Sequence, residues 1–216
     1  INENFKNNFK VYNFHNLYKE LLNFCTVELS AFYFDIRKDT LYCEALNSDK
    51  RKNCITLLNI ILQCLLKWFA PILSFTTEEI YQLVKKEDES QSIHLQNFTS
   101  VPNSWKNEEL SLDWNYVKKI RDEANISIEN MRAEKSIGSS LEATIEIKLN
   151  KEFYEKAKNI NFSEICITSS ASVIKEEKLK NSIEVVAKKA QGTKCPVCWK
   201  IFELNCERHG HLNLNG

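Results

Sequence analysis

Lys194-Cys195-Pro196-Val197-Cys198-Trp199-Lys200 and, after a short spacer, Cys206-Glu207-Arg208-His209 bring two pairs of soft donors together near the end of the chain. A CxxC pair bends into a tight turn that aims both sulfurs inward. The CxxH pair adds a third sulfur and an imidazole. Together they complete a tetrahedral shell around one divalent ion, at roughly 2.3 Å from sulfur and 2.0–2.1 Å from nitrogen. A stretch this short has no room for an adequate apolar core, so a metal would supply most of its folding free energy. The spacing therefore predicts a structural Zn2+ held by Cys195, Cys198, Cys206 and His209. His211 is the alternative fourth donor, while His209 preserves the two-residue gap. A catalytic zinc keeps one position open, and this set fills all four. A redox CxxC normally opens a helix after a strand, whereas here Pro196 and the second donor pair argue otherwise.

Trp199 directly follows the first turn, with Lys194, Lys200 and Arg208 around it and Lys188 and Lys189 just upstream. Two readings stand. The indole packs onto the loop as its miniature core, or it presents a π-face ringed by cations that suits an unstacked base and its phosphates.

Farther out, the 216 residues carry 29 basic and 29 acidic side chains, so any nucleic-acid contact must come from a local patch. With 43% hydrophobic and 27% charged residues, the composition is that of a soluble globular protein. The longest apolar run, Ile55 to Phe75, is interrupted by Asn59, Gln63, Lys67 and Pro71 and predicts no membrane span. Five of the eight cysteines (Cys25, Cys43, Cys54, Cys64 and Cys166) lie in apolar-periodic segments, which fits buried thiols in a reducing cytoplasm. Only four glycines occur, and no Gly-rich nucleotide loop is available. His15 and His94 stand apart from any nucleophile motif, and no catalytic constellation is legible. The start at Ile1 reads as an internal boundary of a longer protein.

The periodicity divides the rest. Leu17, Leu21, Phe24, Val27 and Ala31 predict a helix from Asn16 to Phe34. Ser48 is the expected N-cap of a central bundle helix bearing Cys54, Leu58, Ile61, Leu65 and Trp68, which Pro71 ends. Thr76-Thr77-Glu78-Glu79 has capping-box form and predicts a short helix through Val84, followed by an irregular connection from Lys85 to Asn107. Asp113 is the expected cap of a long helix with Val117, Ile120, Ala124 and Ile128 on one face, released at Gly138. Ala143, Ile145, Ile147 and Leu149 then alternate with polar residues as a half-buried strand. A helical piece near Glu152–Lys158 and strand candidates at Ile165-Cys166-Ile167 and Ile183–Ala187 complete a small α/β unit. The expected fold is a mainly α helical bundle over 1–107, a small α/β junction domain over 108–190 and a zinc knuckle over 191–216.

Phe32-Tyr33-Phe34-Asp35-Ile36-Arg37-Lys38-Asp39-Thr40-Leu41-Tyr42 and Ala70-Pro71-Ile72-Leu73-Ser74-Phe75-Thr76-Thr77-Glu78-Glu79-Ile80 resemble two segments of the anticodon-binding helical domain of bacterial isoleucyl-tRNA synthetases, shared more loosely with the valyl and leucyl enzymes. Arg132-Ala133-Glu134-Lys135-Ser136-Ile137-Gly138-Ser139-Ser140-Leu141-Glu142-Ala143 and the Cys195 turn are similar to that family's junction and C-terminal zinc module. The family's module typically has two CxxC pairs, and His209 stands here at the fourth position. The resemblance implies the C-terminal part of a class I isoleucine–tRNA ligase, monomeric and cytoplasmic. It also implies isoleucine tRNA as partner, alongside the catalytic and editing domains of the parent chain. ATP would bind only in that absent catalytic domain, whose signatures have no counterpart here. Trp199 matches the tryptophan that meets the wobble base, with Lys194, Lys200 and Arg208 expected at phosphates. The rival reading is a zinc-stabilised protein-interaction module in which Trp199 is the anchor. A cysteine-dependent enzyme is a third.

Overall fold

Helical spacing in the first hundred residues produces one unit, 1–106, and the alternation around Ile145 organises a second, 107–216. The computed structural model describes residues 1–87, 89–179 and 181–210.

In the first unit, α1 (Asn2–Lys10) turns into α2 (Phe14–Asn23). Leu17 and Leu21 bury their stripe against Phe5, Cys64 and Trp68, with Phe9, Phe24 and Phe69 around them. The Trp68 indole N–H donates to Asn2 Oδ1 at 3.1 Å, so the largest core ring keeps its polar atom satisfied. The chain stays helical past the expected end at Phe34. Phe24–Phe34 winds as a π-helix and passes directly into α3 (Asp35–Cys43). Ser48 caps α4 (Asp49–Phe69), its Oγ accepting from the Arg51 amide at 3.4 Å. Cys54, Cys64, Leu66 and Trp68 of α4 are buried, but Ile55 and Leu57 are 36% and 41% exposed. The first half of α4 is thus less enclosed than its composition suggests.

The capping box is a correction. Helix α5 (Ser74–Val84) starts before Thr76, and Thr77 Oγ1 donates back to Leu73 O at 2.9 Å. Glu78 instead accepts from Ser92 Oγ at 2.8 Å and the Ile93 amide at 3.0 Å, fixing the turn that buries Ile93.

The second unit opens with α6 (Glu108–Ala133). Its cap is Asn107, whose Oδ1 accepts from the Leu110 amide at 2.9 Å, and not Asp113, which lies inside the helix and pairs with Lys156 at 2.8 Å. Val117, Ile120, Ala124 and Ile128 form its buried stripe, as their spacing requires. The helix is released at Lys135, at φ 59°, and not at Gly138, whose amide donates to Glu142 Oε2 at 2.9 Å.

Strand β1 (Ala143–Leu149) buries every second residue. Helix α7 (Lys151–Ala157), the short α8 (Phe162–Ile165), β2 (Ser170–Lys175) and β3 (Ile183–Lys189) follow. The sheet order is β2-β1-β3, with β1 parallel to β2 and antiparallel to β3. Ile147 lies between Val173 and Val185 in register, and Ser127 Oγ of α6 accepts the Ala187 amide at 2.9 Å. The strand expected at Ile165-Cys166-Ile167 is not formed. Ile165 and Cys166 are buried by a helical turn, Ile167 adopts φ 55°, and the strand begins at Ser170. Among the described residues no helix is long and apolar enough to cross a membrane.

Candidate metal centre

A hairpin carries the donors. Strands β4 (Thr193–Lys194) and β5 (Ile201–Phe202) pair antiparallel, and the Cys195–Lys200 turn joins them. The Cys195 amide donates to Lys200 O at 2.8 Å and the Trp199 amide to Cys195 O at 2.9 Å. Gly192 enters the hairpin at φ 121°, where a Cβ would sit 2.1 Å from Phe202 O, so no other residue fits without moving that strand. On the second loop the His209 and Gly210 amides both reach Cys206 O, at 3.1 and 2.6 Å.

The turns converge Cys195, Cys198, Cys206 and His209, all buried, with their donor atoms within 4.8 Å of one another. Tetrahedral arms of about 2.3 Å to sulfur and 2.0–2.1 Å to nitrogen would set S···S near ~3.8 Å and S···N near ~3.6 Å. The Cys198 and Cys206 sulfurs are 3.9 Å apart, and His209 Nδ1 lies 3.4 Å from both Cys195 Sγ and Cys206 Sγ. Donor type and number, and these three separations, fit one tetrahedral ion of zinc's kind. His211 lies outside the described residues.

The electrostatics point the same way. Burial pushes the Cys195 thiol up, but the Cys198 and Val197 amides, with the Cys198 and His209 side chains, hold it down at about 6. Burial, followed by the neighbouring Cys195 and Cys206, drives Cys198 up to about 11, against the pull of the Lys200 amide. The pocket favours one thiolate and resists the next, and a bound cation removes that conflict.

Trp199 does not serve as a miniature core. It is 60% exposed at φ 64°, with Lys194 Nζ 5.5 Å from its ring centroid. Of the other cations singled out from sequence, Lys200 and Arg208 are half-buried and already engaged, and Lys188 pairs with Glu146 at 3.6 Å. Sequence reasoning missed Ser169. Buried, it donates from Oγ to Leu141 O at 2.5 Å and accepts the Ile201 amide at 2.6 Å, tying the hairpin to the start of β1. Nothing in the run Thr168-Ser169-Ser170 distinguishes that serine beforehand.

The model of the family described as the anticodon-binding domain of tRNA ligase matches residues 1–147, and the chain belongs to that family. Among individual proteins, the chain is 62% identical over 211 residues to the isoleucine–tRNA ligase of Pelagibacter ubique, covering 97% of this chain and 23% of that protein. The isoleucine–tRNA ligase of Agrobacterium fabrum is 38% identical over 205 residues (91% and 21%), and that of Mesorhizobium japonicum 35% over 212 residues (93% and 21%). The chain thus spans less than a quarter of the length of these relatives.

Proposed function

We propose that the chain recognises the anticodon arm of isoleucine tRNA, as the C-terminal region of a cytoplasmic isoleucine–tRNA ligase whose ATP-dependent chemistry resides in another domain. The observation that carries this reading is Trp199, held exposed on the metal turn beside Lys194. The indole stacks on an unpaired base, and stacking of this kind contributes about 1–3 kcal/mol. Lys194 moves from the ring to a phosphate, with Lys200 and Arg208 supplying further positive charge nearby. Cys195, Cys198, Cys206 and His209 hold Zn2+, which fixes the turn so that the ring is ordered before RNA arrives. Residues 191–216 then act as a metal-built appendage of the junction, 108–190. No step of amino-acid activation is assigned to these residues.

The test compares isoleucine tRNA with an anticodon-altered transcript. Wild-type protein should prefer the former, and Trp199→Ala should lose about tenfold in affinity and most of that preference. Equal, feeble binding of both transcripts by wild type points instead to a protein-interaction module.

A further inference from the structure

The turn between α1 and α2 carries a residue that neither the core nor the metal explains. The Tyr12 amide donates to Phe9 O at 3.1 Å and the Asn13 amide to Asn8 O at 2.9 Å, closing α1. Asn13 Oδ1 then accepts the Asn16 amide at 3.3 Å and opens α2. This closure places the linking residue in the left-handed region, where glycine or asparagine is unstrained. Tyr12 occupies it at φ 56°, and its side chain is 78% exposed.

The ring has a firm mount. It meets Phe14 edge-on at 6.3 Å, Phe14 meets Phe9 at 5.9 Å, and Phe9 meets the buried Phe5 at 5.8 Å and Phe98 at 4.8 Å. The chain as a whole is neutral, but the sequence flanking this ring is basic. From Asn4 to Lys19 there is no Asp or Glu, and Lys10, His15 and Lys19 are exposed. The first turn of α2 also lacks an acidic residue. An exposed aromatic ring on a segment that carries exposed lysines and no carboxylate of its own offers what a single-stranded nucleic acid requires: a π-face for the base and positive charge for the backbone.

We propose that this turn is a second RNA contact, in which Tyr12 stacks on an unpaired base while Lys10 and Lys19 neutralise flanking phosphates. The proposal rests on the tRNA reading above, in which the helical bundle cradles the anticodon stem-loop, and names a contact residue there, where sequence motifs had singled out none.

The experiment measures binding of an isoleucine tRNA transcript, at one fixed salt concentration, to the zinc-loaded 216-residue chain and its variants. Tyr12→Ala should weaken binding about tenfold, and Tyr12→Phe, which keeps the ring, should stay within about twofold of wild type. Tyr12→Gly separates the ring from the fold. It relieves the left-handed backbone, so it should melt no lower than wild type yet bind as weakly as Tyr12→Ala. Wild-type affinity in Tyr12→Ala alongside a loss in Trp199→Ala overturns this proposal alone. Recovered affinity in Tyr12→Gly also overturns it, because the ring would then be dispensable. If wild type binds the transcript no better than an RNA duplex of equal length, the tRNA reading and this contact fall together.

Discussion

The helical unit and the four-donor hairpin are built by opposite means. In 1–106, Leu21, Leu17 and Phe5 are almost wholly removed from water, and the stabilising free energy is spread over many apolar contacts. In the hairpin the buried atoms that matter are three sulfurs and one nitrogen, and Trp199 and Leu204 are left 60% and 84% exposed. A distributed core degrades gradually under substitution. A four-donor site has no partial state of comparable stability, so it should be all or nothing.

The most disruptive way to break this comparison is metal removal. Structural zinc contributes an apparent 10–16 kcal/mol or so in small modules, so a strong chelator, or Cys198→Ser, should unfold 193–210 completely. Far-ultraviolet circular dichroism should keep its helical signal, while the hydrogen-bonded hairpin amides of Cys195 and Trp199 lose their protection from hydrogen exchange. Loss of helicity in parallel with metal would show that the two regions are one cooperative system.

Leu21→Ala probes the other side. A fully buried leucine truncated to alanine costs about 2–5 kcal/mol, so the thermal transition of the helical unit should fall while metal binding at the four donors is unchanged from wild type. A smaller, local effect is expected from Gly192→Ala. The added Cβ meets Phe202 O and the backbone must leave φ 121°, so zinc affinity should drop by roughly tenfold or more, with the helical unit untouched. Metal competition titration reads this directly.

The two regions also differ in how openly the sequence declares them. The donor spacing of the hairpin is entirely local, so Cys195, Cys198, Cys206 and His209 could be read from the chain and are found converged. The stripe Val117, Ile120, Ala124, Ile128 and the alternation of β1 were legible for the same reason, since one face of each must be buried. What escaped depends on partners remote in sequence. Ile165-Cys166-Ile167 looks like a strand because it is apolar and rich in β-branched residues, yet a helical turn buries Ile165 and Cys166 equally well. Strand β2 sits at the sheet edge, and its alternation is short and weakly apolar, only Ala171 and Val173 half-buried between the exposed Ser170 and Ser172. The true cap of α6 was masked because Leu110 and Leu112, in its opening turns, face solvent and break the stripe. Ser169 is invisible until the chain has folded around it.

The smallest expected effect on stability is the most informative about function. Trp199 occupies φ 64°, a conformation that disfavours a residue with a Cβ by about 1–2 kcal/mol relative to glycine. Its indole remains 60% exposed, so burial offsets little of that cost. Strain held by an exposed aromatic ring is what selection for binding leaves behind, whereas selection for a stable hairpin would place glycine there. Trp199→Gly should therefore bind zinc slightly more tightly than wild type, by up to about tenfold, and at the same time lose the preference for isoleucine tRNA. Trp199→Ala keeps the backbone strain but removes the ring, so it should match Trp199→Gly in RNA binding and fall below it in metal affinity. Should Trp199→Gly weaken zinc binding instead, the indole is a structural part of the hairpin, and the contrast between a core-built unit and a donor-built one loses its sharpest example.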